Sequence, residues 1–228
     1  MSADVPLAAQ AFAGSGAVIV VLAVVLFGAS GTADYWQAWA YLALFAVSVV
    51  AITGYFLAQS PEFIARRLRA GPGAETEASQ KVIQSLASVC FILIYLVAGL
   101  DRRFGWSGVH GLVAAGADAL AAIGFWVVFR TFRENDHASA TIEVTAGQRV
   151  VASGPYAIVR HPMYAGAGLL LLTTGPALGS LWAIVPAALL MAAIVWRLLD
   201  EERFLSANLP GYGEYCGRTR YRLIPGIW

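Results

Sequence analysis

Long apolar runs constrain the fold of this chain most, because each of them can cross a lipid bilayer. About 20 consecutive apolar residues span the hydrocarbon core as one α-helix. Four separate runs have this length, at residues 8–28, 36–58, 82–100 and 112–129. The composition agrees, since 59% of the 228 residues are hydrophobic and only 13% are charged, too few to cover the surface of a soluble domain. The sequence therefore predicts an integral membrane protein.

A fifth apolar stretch, residues 165–196, is too long for one span and is interrupted by Gly175, Pro176 and Gly179. Glycine and proline end or kink helices, so this stretch is predicted to form a helical hairpin that turns near residues 175–180. The predicted fold class is therefore an all-α integral membrane protein with about six transmembrane segments, of which the last two form the hairpin.

The distribution of lysine and arginine predicts the orientation in the membrane. With six segments, Arg102 and Arg103 lie on one side, and the other 13 basic residues lie on the opposite side. Basic residues are retained on the cytoplasmic side of membranes. Both termini and the loops at 59–81 and 130–164 are therefore predicted to be cytoplasmic. The first apolar run has no basic segment before it and is not typical of a signal peptide, so a bacterial or archaeal inner membrane is expected.

Polar residues are concentrated in two stretches that the hairpin brings back to one membrane face. These stretches are residues 130–164 and 197–228. Residues 1–129 are accordingly predicted to be a bundle of four spans, and residues 130–228 a catalytic region. The net charge of +1 gives no indication of nucleic-acid binding, and nothing in the sequence indicates an oligomeric state.

The stretch "GPYAIVRHPMY", residues 154–164, combines turn signals with side chains that suit a polar ligand. The residue before each proline is biased away from the helical region, and Pro162 is expected near the first position of the following helix. Helix N-termini favour anions. The candidate ligand-binding side chains are Tyr156, Arg160, His161 and Tyr164. An alternative is that the arginine and tyrosines only anchor the chain at the lipid headgroups.

A second charged stretch, "WRLLDEERFL" at residues 196–205, follows the hairpin. Arg197 and Glu201 are four residues apart and share a helix face, whereas Glu202 points about 100° further round. The alternative is a solvated helix end with ordinary salt bridges. Ionisable residues that abut a membrane span are costly and often functional, which favours a site here.

Other polar residues give weaker indications. His137, within residues 132–144, has no second histidine at metal spacing, and a loop is expected there. Asp118 interrupts the fourth apolar run. Cys90 and Cys216 are far apart and are predicted to be single thiols. We predict no metal site. Glycine-rich phosphate motifs and the nucleophile elbow of hydrolases are absent from the sequence.

The C-terminal part of the chain resembles the isoprenylcysteine carboxyl methyltransferase family. The resemblance rests on "GQRVVASGPYAIVRHPMYAG", then a hairpin, then "EERFL" and "YGEYCGRTRYRLIP". It covers about residues 130–228 and extends in general pattern to the membrane phospholipid methyltransferases. Members are integral-membrane enzymes that use S-adenosyl-L-methionine, so the resemblance implies a cytoplasmic pocket for this cofactor.

The resemblance also implies roles for individual residues. Glu202 would reach the cofactor, and Arg197 would face the methyl acceptor. On chemical grounds, Glu201 or Glu202 would be needed to take a proton if the acceptor were an amine. Gln148 departs from the histidine of eukaryotic members, which leaves the substrate open. The remaining cofactor residues, of which the first four would form a strand-like approach, are Gln148, Arg149, Val150, Val151, Tyr156, Arg160, His161, Pro162, Met163 and Tyr164.

The chemistry of these side chains agrees with methyl transfer. Tyrosine faces suit the sulfonium and the adenine, Arg160 suits the methionine carboxylate, and a carboxylate acceptor would need no strong base. The acceptor is expected to be lipophilic and to enter from the bilayer, with membrane lipids as neighbours. Its identity is open among a prenylated cysteine, another lipophilic acid or thiol, and a phospholipid amine. Two alternatives remain, an NADPH-dependent membrane reductase resembling steroid 5α-reductases and a non-catalytic membrane protein.

Overall fold

The computed structural model describes residues 6–68, 71, 73, 75, 77–135, 144 and 148–228, and these residues are helical or irregular, with no strand. His137 and Arg69 lie outside the described residues. The helices are α1 (Leu7–Ser30), α2 (Trp36–Gln59), α3 (Pro61–Arg67), α4 (Ala78–Phe104), α5 (Gly111–Glu134), α6 (Pro162–Ala177), α7 (Ile184–Asn208) and α8 (Tyr212–Arg218), with a 3-10 turn at Gly154–Ala157.

Four of these helices are long and apolar enough to cross a membrane. They are α1, α2, α4 and α5, with 24 to 27 residues each and a mean hydropathy of 2.0 to 2.4 in their most apolar windows. At 1.5 Å per residue, a helix of this length measures about 36 Å, which exceeds the hydrocarbon core of about 30 Å. The four apolar runs that the sequence indicates are therefore confirmed as candidate spans.

The hairpin is present, but its two helices are not confirmed as the fifth and sixth spans. α6 has only 16 residues, about 24 Å of helix. In α7, the uncharged part ends at Trp196, because Arg197 and the acidic residues follow directly. The turn closes with a hydrogen bond from the Ser180 amide to the Gly175 carbonyl (2.8 Å) and uses Gly179 at a φ of +75°. α6 and the uncharged part of α7 are both shorter than the hydrocarbon core that a span must cross.

Close helix packing joins the hairpin to the apolar bundle. α5 crosses α6 where Gly124 and Gly166 face each other, and a Cβ on Gly124 would lie 2.8 Å from the Gly166 carbonyl oxygen. Only glycine allows the two backbones to approach this closely. The predicted division into residues 1–129 and 130–228 thus has α5 and α6 in direct contact across it, and the division stays a prediction.

A polar clamp holds the hairpin turn at one end of the bundle. The buried Asp101 carboxylate, near the end of α4, accepts hydrogen bonds from the Ser107 amide (2.7 Å), the Ser107 hydroxyl (2.6 Å) and the Ser180 hydroxyl. Exposed tryptophans surround this end, as expected at a membrane interface: Trp36, Trp39, Trp106 and Trp182. The polar residues of the candidate site lie at the opposite end, where α7 ends and α6 begins.

Candidate active site

Glu202 of α7 is the centre of a buried ion cluster. Its Oε1 lies 2.9 Å from Arg160 Nη1 and 3.2 Å from His161 Nε2, and its Oε2 accepts a hydrogen bond of 2.8 Å from Arg222 Nε. Glu202 is 8% exposed and His161 is 6% exposed. The hairpin thus brings residues from both polar stretches together, as the sequence predicts, and adds Arg222, which sequence reasoning missed.

The C-terminal tail completes this cluster through backbone hydrogen bonds. The Arg160 amide donates to the Tyr221 carbonyl (2.8 Å), and the His161 amide donates to the Arg222 carbonyl (3.0 Å). The guanidinium of Arg222 also lies over the Trp228 ring at 5.2 Å. The loop before α6 is therefore fixed on one side by α7 and on the other by the tail.

The environment of Glu202 keeps its carboxyl group ionised. Burial alone would raise its pKa, but hydrogen bonds from His161 and Arg222 and the charge of Arg160 outweigh burial and hold the pKa below its usual range. A carboxylate with a lowered pKa and cationic partners on both oxygens is a weak general base. Glu202 is better suited to holding charged groups in place than to accepting a proton.

A second buried cluster forms around Arg197, one helical turn before Glu201. Arg197 Nε donates to the Tyr164 hydroxyl (3.3 Å), and that hydroxyl donates to Glu201 Oε2 (2.7 Å). Tyr164 also stacks on His161, with ring centroids 5.7 Å apart. The predicted residues Tyr164, Arg197 and Glu201 therefore meet, and the stacked rings connect them to the Glu202 cluster.

Two polar residues of the Arg197 cluster come from the N-terminal half of the chain and were missed by sequence reasoning. Arg197 Nη1 lies 2.8 Å from Glu75 Oε1 and 2.8 Å from Gln80 Oε1. Gln80 also donates to Asp200 Oδ2 (3.0 Å). Glu75 and Gln80 flank the start of α4, and no local motif distinguishes them from ordinary polar residues before an apolar helix.

A cavity of about 540 Å³ opens beside this cluster. Its walls come mainly from α2, α4, α5, α6 and α7, and its polar end is formed by Arg67, Tyr164 and Arg197. The charged side chains that line it within the described residues are Arg67 and Arg197, and none of its lining residues is acidic. Apolar lining residues include Phe45, Phe91, Phe125, Met163, Leu171 and Leu190. A cavity of this size with apolar walls and one polar end suits a lipophilic molecule with a polar head.

Tyr156 lies on the other side of the loop, against α8. Its hydroxyl accepts a hydrogen bond from Asn135 Nδ2 (3.1 Å), and its carbonyl accepts from the Tyr215 hydroxyl (2.8 Å). Burial raises the pKa of Tyr156 to about 12, so it stays protonated at physiological pH. Tyr156 packs against the buried cluster of Leu209, Tyr212 and Tyr215, which gives an aromatic surface next to the predicted cofactor loop.

The remaining predicted cofactor residues lie in the segment before the loop and at the start of α6. Residues 148–151 are irregular, so the strand-like approach expected here is wrong for the described structure. Arg149 is exposed, Val150 packs against the α8 tyrosines, and Gln148 and Val151 are half-buried. Pro162 is the first residue of α6, as its sequence position predicts. The ligand roles of these residues stay predictions.

The loop fits the carboxylate end of S-adenosyl-L-methionine. Arg160 Nε is buried and has no hydrogen-bond partner among the described residues, although its Nη1 pairs with Glu202. A buried guanidinium N–H without a partner is costly, and an anionic ligand would satisfy it. With two arginines around one carboxylate, the cluster carries a net positive charge, which also favours an anion.

The described part of the chain contains no group of three or more histidine, cysteine, aspartate or glutamate side chains placed to hold a metal. Cys90 and Cys216 are free thiols, as predicted. Asp118 is half-buried in α5, and its Oδ1 has no hydrogen-bond partner among the residues described.

The fold and the site together define a helical membrane protein with a buried charged site and an adjoining apolar cavity. Residues 112–210 match the family model of phospholipid methyltransferase. The matched segment runs from α5 to just beyond α7 and includes the loop, the hairpin, Arg197 and Glu202. The match covers less than half of the chain. It confirms the resemblance to membrane methyltransferases that the sequence shows, since the two methyltransferase families are related. No curated protein matches the chain significantly.

Proposed function

We propose that this protein transfers a methyl group from S-adenosyl-L-methionine to the carboxylate of a lipophilic acceptor at the membrane. The observation that carries the proposal is the cavity beside Arg197, which has mainly apolar walls. Among the described residues, its polar end is lined by arginines and by no acidic side chain. An arginine can hold a carboxylate by two parallel hydrogen bonds.

The cofactor would lie against the loop at residues 154–164. Arg160 would hold its methionine carboxylate, and Tyr156 would offer an aromatic face. When bound, S-adenosyl-L-methionine supplies a methyl group on a sulfonium: the S–CH3 bond breaks, an O–CH3 bond forms, and the positive sulfonium and negative carboxylate charges both disappear. Tyr164 separates the two clusters, so it is placed to contact both ligands.

A carboxylate acceptor agrees with the protonation chemistry of the site better than an amine does. Methylation of an amine releases a proton that a base must take, whereas methylation of a carboxylate releases none. Glu202 is paired with cations and has a lowered pKa, and Glu201 already accepts a hydrogen bond from Tyr164. Neither carboxylate is well placed as a base.

The short hairpin supports an acceptor that remains in the bilayer. The uncharged part of α7, residues 184–196, measures about 20 Å, and α6 about 24 Å, whereas the hydrocarbon core measures about 30 Å. With the hairpin turn at the tryptophan-rich interface, Arg197 would lie within the opposite leaflet. We place that leaflet on the cytoplasmic side of an inner membrane, following the basic residues, where the water-soluble cofactor is available.

The decisive experiment offers the purified protein radiolabelled S-adenosyl-L-methionine with three acceptors. N-acetyl-S-farnesylcysteine and palmitate carry carboxylates, and phosphatidylethanolamine carries an amine. We expect label in a lipid-soluble product that alkali releases as methanol, because methyl esters are hydrolysed and methylamines are not. Label that is stable to alkali and present only with phosphatidylethanolamine would overturn the carboxylate assignment, and NADPH-dependent reduction without methyl transfer would overturn the activity itself.

A further inference from the structure

Glu75 forms an ion pair with Arg197, the arginine that we propose binds the acceptor. Glu75 Oε1 lies 2.8 Å from Arg197 Nη1, and the same oxygen accepts a longer hydrogen bond of 3.3 Å from Gln84 Nε2. Both partners of the ion pair are buried, with exposed fractions of 6% for Glu75 and 8% for Arg197. Because burial removes most solvent screening, Glu75 offsets much of the charge that Arg197 presents to the cavity.

This charge matters for catalysis because methyl transfer to a carboxylate removes charge. The acceptor is fully negative before the reaction and less negative in the transition state. A cation facing it therefore stabilises the bound substrate more than the transition state, and stronger binding of this kind lowers kcat. An arginine with its full charge would align the acceptor but would also hold it too firmly.

We propose that Glu75 is a positioning residue that tunes Arg197, so that Arg197 aligns the acceptor carboxylate without trapping it. The inference rests on the proposed function. Gln80 shares the Arg197 Nη1 atom with Glu75 and is uncharged, so it orients the guanidinium without reducing its charge. The start of α4 thus supplies one residue for the orientation of Arg197 and another for its effective charge.

The kinetic test compares the wild type with Glu75→Gln, using whichever carboxylate acceptor gives alkali-labile product. We expect KM for the acceptor and kcat to fall together, each by about fivefold, with little change in their ratio. KM for S-adenosyl-L-methionine should stay the same. Glu75→Asp, whose carboxylate lies farther from Arg197, should give smaller changes in the same direction. Glu77→Gln, which removes an exposed charge two residues away, is the matched control and should change nothing.

A binding test separates failure of this inference from failure of the proposed function. Palmitate and methyl palmitate are compared by the rise in Tm that each gives the purified protein, relative to the same variant alone. We expect the rise with palmitate to be larger in Glu75→Gln than in the wild type, and the rise with the neutral ester to be equal. No rise in the wild type, together with no alkali-labile product, would overturn the proposed function. Normal wild-type activity with an unchanged or raised acceptor KM in Glu75→Gln would overturn the role of Glu75.

Discussion

Arg160 Nη1 lies 2.9 Å from Glu202 Oε1, and this ion pair joins the loop before α6 to the charged part of α7. The two residues belong to the two polar stretches that the hairpin separates in sequence. Since Arg222 of the tail pairs with the other carboxylate oxygen of Glu202, one side chain holds three segments together. Ligand binding by the loop is therefore expected to depend on the Glu202 side chain.

Glu202→Gln is expected to weaken cofactor binding and to lower stability. The substitution keeps the size of the side chain but leaves the largely buried Arg160 and the partly exposed Arg222 without their anion. Breaking a buried pair costs about 3 kcal/mol or more. We expect a clear fall in Tm and a weaker affinity for S-adenosyl-L-methionine in equilibrium binding. Glu214→Gln, at an exposed position in α8, is the control. Equal affinities of Glu202→Gln and the wild type would show that Glu202 does not support the cofactor loop.

Arg197→Gln is expected to impair turnover while the cofactor still binds. Arg197 lines the cavity and reaches the Tyr164 hydroxyl, whereas the ion pairs of Glu202 are with Arg160, His161 and Arg222. Loss of a charged group that aligns a reactant costs about 100-fold in kcat. The matched control is Arg203→Gln, since Arg203 lies on the same helix with 78% of its side chain exposed. Steady-state kinetics with both substrates measure the effect, and wild-type kcat in Arg197→Gln would remove Arg197 from the mechanism.

Glu202 also predicts the direction of a pH effect on stability. Its pKa in the folded protein is lower than the ordinary value of 4.5, so the ionised form is favoured by folding. Its contribution to stability is therefore complete above about pH 5 and is lost as the pH falls through the folded pKa. We expect the difference in Tm between the wild type and Glu202→Gln to shrink between pH 7 and pH 3.5. A difference that grows on acidification would mean that the folded pKa is raised.

Hydrophobicity and helix breakers were sufficient to predict much of the fold. The spans begin and end within a few residues of the apolar runs, and Pro162 begins α6 as its position before an apolar stretch indicates. The number of spans was harder to predict, because apolar composition does not show how many residues of the 165–196 stretch belong to the turn. The short helices α3 and α8 carry no strong periodicity and depend on tertiary packing.

The residues of the candidate site that could be predicted are those that belong to a local sequence pattern. Arg160, His161 and Tyr164 stand out by their prolines and their place before an apolar run, and Arg197 and Glu202 by charge next to a span. Their roles stay predictions. Glu75, Gln80 and Arg222 did not stand out, since each acquires its place only through contacts with distant segments. The fold, and not sequence spacing, determines which buried charges pair with each other.

Gly166→Ala is expected to destabilise the contact between α5 and α6. A Cβ at Gly166 would lie 2.9 Å from the Gly124 carbonyl oxygen and 3.0 Å from side-chain atoms of Val127 and Val128. Backbone cannot move aside as a flexible side chain can, so overpacking of about 1 to 3 kcal/mol is expected. Since α6 begins at Pro162, the strain would also reach the site.

Gly116→Ala is the matched control for Gly166→Ala, because a Cβ at Gly116 in α5 has no neighbouring atom within 4 Å. We expect Gly116→Ala to leave Tm unchanged or slightly raised, since alanine favours helix over glycine. Gly166→Ala should lower Tm by several degrees and lower methyl transfer with it. Equal Tm values for the two variants would show that the two helices can separate without cost, and that the glycine pair does not position the hairpin.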